Sequence, residues 1–311
     1  MSDKHIIVAH PHGFCSGVAR AVAAAEAALA RGGGPIYGLH EIVHNAHVTG
    51  RLAAQGLRFV QQLQDVPPGS VVLLSAHGVA PAVLAEARAR NLQVIDATCP
   101  FVAKVHQEVL RFVADGCTVI CIGHRTHAEV RGIAGEAPEH VLVVESAEEA
   151  RQVQPADPDR VAVVSQTTLS PETADAIREV LRERFPQLRQ PAREDVCYAT
   201  RNRQQAVRML AQRCDRVVVL GSANSSNSQR LAETARAAGT EAVLVSEPEQ
   251  LDGIAWHTAW AVGVTSGAST PESFLDEAVR ILRERYGYPE PEWLTAVDED
   301  SPVFTLPALP V

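Results

Sequence analysis

The sequence of 311 residues predicts an α/β protein made of three small repeated domains with mainly parallel sheets. Its composition is 46% hydrophobic but only 5% aromatic, which is typical of helices packed on buried aliphatic strands. Helical patterns alternate with short apolar runs along the whole chain. The order of these elements recurs about every 90 residues and starts each time at a cysteine, which is the signature of an internal repeat.

The repeat predicts where the domains begin and end. We expect domains at residues 14–98, 99–196 and 197–285, with a strand within residues 1–13 joining the third domain. The chain is longer than most single domains, which agrees with this division. Residues 286–311 form a C-terminal tail that is rich in proline from Tyr288 onward and shows no clear period. The tail therefore predicts neither a helix nor a strand.

Each repeat opens with a helical pattern directly after a cysteine. The patterns are "VARAVAAAEAALARGG", "FVAKVHQEVLRFVADG" and "NRQQAVRMLAQRC", after Cys15, Cys99 and Cys197. The first two patterns close with glycine, as helices commonly do. Pro100 suits the first helical position because proline has no N–H to leave unpaired. A thiol thus stands three times where a serine or aspartate cap is usual.

A short strand with a polar end follows each of these helices. The strands read "PIYGL", "CTVICIG" and "DRVVVLG", and their polar ends read "HEIVHN", "HRTHAEV" and "SANSSNS". His44 lies 29 residues after its cysteine, and His127 and Ser225 each lie 28 residues after theirs. The agreement indicates that these three positions are equivalent in the repeats.

Each repeat continues through a second strand to a third one with another polar end. The second strands are "GLRFV", "HVLVVES" and "EAVLVSE", and the third are "SVVLLSAHG", "RVAVVSQTT" and "AWAVGVTSGAS". Ligands of parallel sheets bind beyond the carboxyl ends of the strands, where these polar residues fall. If the domains surround a pseudo-threefold axis, the cysteines and polar ends meet in one central cleft. The alternative is that the domains pack side by side and the polar ends are ordinary turns.

The cysteines and the charge limit the classes of function. No apolar run has the length of a signal peptide or a membrane span, so we expect a cytoplasmic protein that does not bind a membrane. Cytoplasmic cysteines are more often thiols, metal ligands or catalytic groups than disulfides. Cys117, Cys121 and Cys214 lie in apolar or helical runs and are predicted to be buried structural thiols. The net charge of −9 provides no general attraction for nucleic acid.

The thiols at helix starts suggest a metal centre. A helix N-terminus carries partial positive charge and unpaired N–H groups, which favour a thiolate. A structural zinc site normally has four ligands close together in sequence, whereas these three cysteines come from different repeats. A 4Fe-4S cluster with three cysteine ligands leaves one iron without a protein ligand, and that iron can act as a Lewis acid. Three merely buried thiols are the alternative, because free cysteine is often buried.

The polar strand ends suggest an anion site. Imidazole, hydroxyl and amide groups are good partners for phosphate, so together these residues would suit a diphosphate. Taken singly, each is better explained as a turn former or a structural hydrogen bonder, but their matching positions in the three repeats favour an anion site. Glu129 is the nearby carboxylate; next to an anion in a partly desolvated site its pKa should rise, as a catalytic acid requires. The candidate residues are His44, His77, His127, Thr167, Thr168, Ser225, Ser226, Asn227 and Ser269.

Nine motifs in order closely resemble the LytB or IspH family of 4-hydroxy-3-methylbut-2-enyl diphosphate reductases, from about residue 5 to residue 285. The resemblance implies a trefoil of three α/β domains around a central 4Fe-4S cluster, and the last step of the non-mevalonate pathway to isoprenoids. It also implies an allylic diphosphate substrate and an external one-electron donor such as flavodoxin or ferredoxin. The motifs are "HPHGFCSGV", "EIVHN", "SAHGV", "DATCPFVAKVH", "GHRTHAEVRG", "QTTLS", "CYATRNRQQAV", "GSANSSNSQRL" and "TSGAST".

The resemblance also implies roles for individual residues. Cys15, Cys99 and Cys197 match the cluster ligands, and Glu129 matches the proton donor. Thr168 matches a position associated with the substrate hydroxyl and proton delivery, and Thr167 matches a substrate contact. The positions that match diphosphate ligands are His44, His77, His127, Ser225, Ser226, Asn227 and Ser269.

Three residues depart from the family pattern. Ala128 replaces a proline in "HAEV", Arg131 stands where an acidic residue is common, and His12 replaces an arginine in "PHGFC". These changes leave the ligands and the acid in place, so they bear on loop rigidity, proton delivery and substrate tolerance. Three other functions remain open from the residues: a redox-neutral hydro-lyase with an open iron, a cluster-bearing redox sensor without a substrate, and a zinc protein.

Overall fold

The protein is described by a computed structural model over residues 4–32, 34–256, 260–299 and 301–310. The strands are β1 (His5–His10), β2 (Ile36–Leu39), β3 (Leu57–Val60), β4 (Val71–Leu74), β5 (Gln93–Asp96), β6 (Thr118–Ile122), β7 (Val141–Val144), β8 (Val161–Ser165), β9 (Arg216–Leu220), β10 (Glu241–Val245), β11 (Ala261–Ser266) and β12 (Glu292–Thr295). The helices are α1 (Ser16–Arg31), α2 (Ala46–Ala54), α3 (Pro81–Ala89), α4 (Pro100–Ala114), α5 (Ala128–Ala134), α6 (Ala147–Gln152), α7 (Pro171–Arg184), α8 (Tyr198–Ala211), α9 (Ser226–Ala237) and α10 (Glu272–Tyr286).

The strands form three sheets, and every strand pair among the described residues is parallel. The strand orders are β3-β2-β4-β5, β7-β6-β8 and β10-β9-β11-β1-β12. The predicted α/β class with three small parallel sheets is therefore confirmed.

The three sheets share one internal order. In each, the first strand of the repeat is flanked by the second on one side and the third on the other, giving β3-β2-β4, β7-β6-β8 and β10-β9-β11. From the first strand, the chain connects to the second strand on one side and later to the third strand on the other. In parallel sheets of this order, a ligand crevice lies beyond the carboxyl ends of the first and third strands. The polar clusters predicted from the sequence follow these two strands in every repeat.

The segment before each cysteine pairs with the third strand of a repeat. β5 precedes Cys99 and pairs with β4, and β1 precedes Cys15 and pairs with β11. Within the described chain, the segment before Cys197 forms no named strand and pairs through one isolated bridge, between Arg189 and Ala162 of β8. The repeat is thus cyclic, because the strand that completes the third sheet comes from the start of the chain.

The central strands bury their residues alternately on two helix-covered faces, as expected for parallel sheets. In the third sheet, Ile6 and Val8 pack against α10, whereas Ile7 and Ala9 pack against α8 and α9. In the second sheet, alternate residues of β6 pack against α4 and α5 on one face and against α6 and α7 on the other. This alternation makes the strands read as continuous apolar runs in the sequence.

The tail contains a strand that the sequence did not predict. β12 pairs with β1 at the edge of the third sheet, and Trp293 on it is exposed. Three of the four residues of β12 are exposed, so its sequence lacks the apolar run by which the other strands were recognised. β5 was missed for the same reason, since two of its four residues are exposed.

The chain forms two compact units. Within the described residues, one unit comprises 4–16, 44–48 and 198–303 and contains the third sheet with α8 to α10. The other comprises the remaining described residues and contains the first and second sheets. In the parts of the chain described here, no helix is both long and apolar enough to span a bilayer.

Candidate functional site

Three cysteines stand directly before α1, α4 and α8, as the sequence predicted. Cys15, Cys99 and Cys197 are partly exposed, whereas Cys117, Cys121 and Cys214 are buried, which confirms their predicted structural role. Burial raises the pKa of Cys121 strongly and that of Cys214 to about 12, so these two remain protonated. All six cysteines lie in the described residues and none forms a disulfide. The thiols accessible to a ligand are therefore those at the helix starts.

Each of these three cysteines is fixed by its own backbone N–H. In each case the N–H donates to a backbone carbonyl at the end of the third strand of a repeat. The residue that carries this carbonyl directly precedes one of the predicted polar residues. The bonds run from Cys15 to Ala268 at 3.1 Å, from Cys99 to Ala76 at 2.9 Å and from Cys197 to Thr167 at 3.0 Å. The acceptors precede Ser269, His77 and Thr168 in the sequence. One hydrogen bond therefore joins a cysteine to a polar strand end in each repeat.

Glu129 is a buried acid at the start of α5. Its side chain is 1% exposed, and it accepts hydrogen bonds from the backbone N–H of Thr167 at 2.6 Å and from the Thr167 hydroxyl at 3.1 Å. Burial raises the pKa of Glu129 to about 7, and the charge of nearby Asp195 adds to the rise, while the two hydrogen bonds oppose it. The raised pKa expected from the sequence is thus found, and it comes mainly from desolvation.

Two of the predicted histidines contact each other beside this acid. The rings of His77 and His127 lie edge to face with centroids 5.7 Å apart. His127 caps α5, and its Nδ1 accepts from the backbone N–H of Glu129 at 3.2 Å. Because a backbone N–H can only donate, Nδ1 carries no proton and the ring proton of neutral His127 resides on Nε2. His127 is therefore set up as a hydrogen-bond donor through Nε2.

Thr168 and Gln166 complete the strand end that holds Glu129. The Gln166 side chain accepts from the backbone N–H of His124 at 3.1 Å and donates to Thr168 Oγ1 at 2.7 Å. Since Thr168 Oγ1 accepts this bond, its own hydroxyl hydrogen points toward a different acceptor. The Gln166 amide thus binds the Thr168 hydroxyl oxygen and leaves the hydroxyl hydrogen for another acceptor.

The start of α9 presents a group of buried polar side chains in the other unit. Ser225 caps the helix by accepting from the backbone N–H of Ser228, and Ser225, Ser226 and Asn227 are all buried. Asn227 Oδ1 accepts from the backbone N–H of Ala268 at 2.9 Å. Among the described residues, the Asn227 Nδ2 group is buried without a hydrogen-bond partner. A buried donor at a helix N-terminus is suited to an anion.

Close packing holds this helix start against the strand ends. A Cβ atom on Gly267 or Gly221 would overlap the side chain of Ser228, which is fully buried. Nearby, the Ser269 hydroxyl donates to the backbone carbonyl of His44 at 3.0 Å. Ser269 therefore anchors the segment that carries His44.

Two further buried residues, Asn45 and Asp195, lie next to His44 and near Cys197 in the sequence but were not themselves predicted. Asn45 Oδ1 accepts from the backbone N–H of Val48 at the start of α2, and its buried Nδ2 has no partner among the described residues. Asp195 is buried two residues before Cys197 and accepts from the backbone N–H of Ser165 at 2.9 Å. An asparagine just before a helix was a visible capping signal. Asp195 had no such signal, because its partners are distant in sequence.

The described residues contain no group of three His, Cys, Asp or Glu side chains that would hold a single metal ion. A single ion needs all its ligands within about 2 to 2.6 Å of one point. In an iron-sulfur cluster each thiolate binds a different iron, so the cysteines lie farther apart.

Comparisons with known proteins agree on one family. Residues 6–283 match the LytB protein family. The chain is 49% identical to 4-hydroxy-3-methylbut-2-enyl diphosphate reductase of Mycobacterium sp. (strain KMS), covering 99% of this chain and 92% of that protein. It is also 49% identical to the reductase of the same name from Acidothermus cellulolyticus, covering 99% and 90%.

Solved structures give the same result. The structure of E-1-hydroxy-2-methyl-but-2-enyl-4-diphosphate reductase from Plasmodium falciparum matches with a TM-score of 0.95 at 34% identity, covering 98% of this chain and 96% of that one. A structure of (E)-4-hydroxy-3-methyl-but-2-enyl diphosphate reductase, described as the terminal enzyme of the non-mevalonate pathway, matches with a TM-score of 0.65 at 31% identity, covering 90% and 99%.

Burial of Glu129 predicts a specific dependence of stability on pH. Its pKa rises on folding from 4.5 to about 7, so the native state binds the proton more tightly than the unfolded state. This stabilisation is complete below pH 4.5 and is lost as the pH rises to about 7. Relative to Glu129→Gln, the wild-type free energy of unfolding should fall by roughly 3 kcal/mol between pH 4.5 and pH 8.

Denaturant unfolding of both proteins across this pH range measures the difference. Glu149→Gln is the control, because hydrogen bonds from Arg125 lower the pKa of Glu149 and place its effect below pH 4.5. A constant difference between wild type and Glu129→Gln would show that Glu129 does not titrate in this range.

Proposed function

The chain belongs to the LytB protein family, and on that premise we propose that it is a 4-hydroxy-3-methylbut-2-enyl diphosphate reductase. The reaction removes the allylic hydroxyl of (E)-4-hydroxy-3-methylbut-2-enyl diphosphate and yields isopentenyl diphosphate and dimethylallyl diphosphate. It consumes two electrons and two protons; one proton leaves with the hydroxyl as water and the other goes to the allylic carbon. The observation that carries this proposal is a buried acid with a pKa near 7 that is linked through Thr167 to Cys197, one of three cysteines fixed at helix starts.

An iron-sulfur cluster is the cofactor of this family, and we infer a 4Fe-4S cluster held by Cys15, Cys99 and Cys197 with one iron free of protein ligands. The donor set fits, because these are the three accessible thiols and each is fixed through its backbone. When bound, the cluster supplies single electrons and a Lewis-acidic iron. The residues of the chain bind the substrate, orient it and supply the protons.

Continuous contacts within one unit support a shared site for Cys99 and Cys197. Cys99 bonds to Ala76, and its neighbour His77 contacts His127. From His127 the contacts continue through Glu129 and Thr167 to Cys197.

A contact within the other unit links the residues that follow Cys15 and Cys197. The Tyr198 hydroxyl accepts from the backbone N–H of Ser16 at 3.3 Å and donates to Ser16 Oγ at 3.0 Å. This bond supports the convergence of the two helix starts that carry these cysteines.

The diphosphate is bound by the His, Ser and Asn side chains at the strand ends. Ser225, Ser226 and Asn227 supply donors at the N-terminus of α9, where the helix dipole favours an anion. The remaining ligands are His44, His77, His127 and Ser269. Binding the diphosphate through these groups fixes the hydroxyl-bearing end of the substrate in one orientation, which lowers the entropic cost of the reaction.

Glu129 provides the proton. With a pKa near 7 it is about half protonated at neutral pH, so it can release a proton and recover one in each turnover. Thr167 donates hydrogen bonds to both oxygens of the Glu129 carboxylate and contacts the substrate, while Thr168 donates its hydroxyl hydrogen to the substrate hydroxyl. The Gln166 amide keeps Thr168 in that orientation.

The three departures from the family pattern leave this machinery in place. Ala128 occupies the first residue of α5, where alanine is a good helix former although proline is favoured. Arg131 lies in the last turn of α5, where a positive charge suits the helix dipole. His12 contacts the carbonyl of Ala9 and the ring of Trp293, and burial lowers its pKa. Each residue is thus accommodated locally.

We further propose that an external one-electron donor of the flavodoxin or ferredoxin type supplies the electrons. The chain offers no nucleotide-binding motif of its own for a hydride donor. We place the reaction in the cytoplasm, where six cysteines stay reduced.

Protein purified without oxygen should be brown and contain about four iron per chain, as a 4Fe-4S cluster requires. Iron, sulfide and zinc analysis measures the content, and the visible spectrum shows the cluster. Turnover of the allylic diphosphate should require a one-electron reductant. Stoichiometric zinc would reject the cluster, reductant-independent loss of water would indicate a hydro-lyase, and absent diphosphate binding would indicate a redox sensor.

Glu129→Gln should lower kcat by about 100-fold or more, since general acid catalysis contributes this much. The visible spectrum and the substrate Kd should stay close to wild type because glutamine keeps the shape of the side chain. In the wild type, kcat should fall as the pH rises through about 7. Glu149→Gln, on the neighbouring α6, serves as the control and should leave kcat unchanged. Wild-type kcat in Glu129→Gln would remove Glu129 from the mechanism.

Asn227→Ala should weaken substrate binding by about 1.5 to 3 kcal/mol, because a hydrogen bond to a charged group is lost. Asn227→Asp should weaken it further, since the acceptor for Ala268 is kept while a negative charge replaces the donor Nδ2. Anaerobic calorimetry gives both Kd values. Asn91→Asp, which makes the same charge change in an exposed turn, is the control. Equal binding by wild type and Asn227→Asp would show that Asn227 does not hold the diphosphate.

A further inference from the structure

A basic residue follows each of the three cysteines at nearly the same distance. Arg20 and Lys104 each lie five residues after their cysteines, and Arg203 lies six residues after its cysteine. The three residues are on α1, α4 and α8, the helices that the cysteines precede. Each contacts the segment that leads into a different cysteine.

Arg20 contacts the segment before Cys99. Its guanidinium donates to the backbone carbonyl of Thr98 at 3.1 Å, and Thr98 directly precedes Cys99. The same side chain donates to the carbonyl of Thr305 at 2.8 Å, which fixes its direction. The helix that follows Cys15 thereby holds the backbone that enters Cys99.

Lys104 contacts the segment before Cys197. Its ammonium donates to the carbonyls of Arg193 at 2.6 Å and Glu194 at 3.2 Å, and pairs with the Asp195 carboxylate at 2.8 Å. Asp195 in turn accepts from the backbone of Ser165 in β8. The helix that follows Cys99 thereby holds the backbone that enters Cys197.

Arg203 contacts the segment before Cys15. Its guanidinium donates to the carbonyls of Gly13 at 2.9 Å and His12 at 3.3 Å. The side chain is 1% exposed and is paired with Glu299 of the tail at 3.5 Å. The helix that follows Cys197 thereby holds the backbone that enters Cys15.

We propose that Arg20, Lys104 and Arg203 form a cyclic clamp that positions the three cysteine ligands. Each cation is placed by the helix after one cysteine and fixes the backbone before the next, in the order Cys15 to Cys99 to Cys197 and back to Cys15. The inference rests on the proposed cluster, for which the clamp sets the ligand geometry. These are positioning residues, because they act through the backbone of the ligand segments.

The chemistry of the contacts explains the use of cations. A backbone carbonyl accepts a stronger hydrogen bond from a charged donor than from a neutral one. Lysine and arginine also carry several donors, so one side chain can hold two carbonyls and a carboxylate together. Arg111 on α4 differs from Lys104, because it pairs with Glu108 of the same helix.

The clamp predicts which cysteine is alkylated faster in each variant. Full-length Arg20→Gln, Lys104→Gln and Arg203→Gln are purified anaerobically with their cluster. A ferrous chelator and iodoacetamide are then added together, and mass spectrometry follows the alkylation of each cysteine. Relative to wild type, alkylation should rise about tenfold at Cys99 for Arg20→Gln, at Cys197 for Lys104→Gln and at Cys15 for Arg203→Gln, as the loss of a charge-assisted bond implies.

Controls separate this effect from unfolding and from failure of the proposed function. Cys117, Cys121 and Cys214 are buried and should stay unlabelled, so their alkylation reports global unfolding. Arg111→Gln should match wild type at all six cysteines, and Lys104→Arg should restore protection of Cys197. Arg20 and Lys104 are partly exposed, so they test the clamp even where Arg203→Gln fails to fold.

Equal increases at all three cysteines, or an increase at the cysteine before the mutated helix, would overturn the clamp. Because the labelling pattern is read within the folded chain, it is independent of turnover. Loss of turnover in the wild type would instead reject the proposed function while leaving the cyclic pattern measurable.

Discussion

The arrangement of the site depends on one hydrogen bond that occurs three times: the backbone N–H of a cysteine donates to a carbonyl at the end of a third strand. Because the backbone makes this bond, each cysteine is held without using its sulfur. The same bond joins the start of one repeat to the strand end of another, so the polar residues His77, Thr168 and Ser269 are placed next to the cysteine segments. The fold thereby couples the positions of the three cysteines to those of the polar strand ends.

Burial supplies the acid chemistry at the strand end of the second sheet. Glu129 lies in a position where its carboxylate has lost water, yet two hydrogen bonds from Thr167 prevent a larger rise of its pKa. The balance leaves the pKa near neutral, where a group exchanges protons most effectively. Asp195 is buried as well, but its ion pair with Lys104 opposes the desolvation that raises its pKa. One carboxylate thus keeps a pKa near neutral, as the proposed proton donor requires, and the other holds a segment in place through its ion pair.

The tail contributes more than its sequence indicates. β12 extends the third sheet, Glu299 pairs with Arg203, and the carbonyl of Thr305 accepts from Arg20. Two of the three cations proposed to position the cysteine segments are therefore oriented by the tail, while the third is oriented by Asp195. None of these contacts produces a periodic pattern, because each depends on a single residue that meets a distant partner.

The sequence by itself determined the α/β class, the threefold repeat, the cysteines at the helix starts and the polar strand ends, because alternation of apolar runs and helical periods is local information. It also indicated that Glu129 would be an acid with a raised pKa. Only the tertiary structure decided how far that pKa rises, that Asn227 keeps its Nδ2 buried without a hydrogen-bond partner among the described residues, and that β12 joins β1. It alone revealed the clamps of Arg20, Lys104 and Arg203, since these bonds connect residues 78 to 191 positions apart in the chain. Contacts at such separations are set by the packing of sheets and helices, which no local pattern encodes.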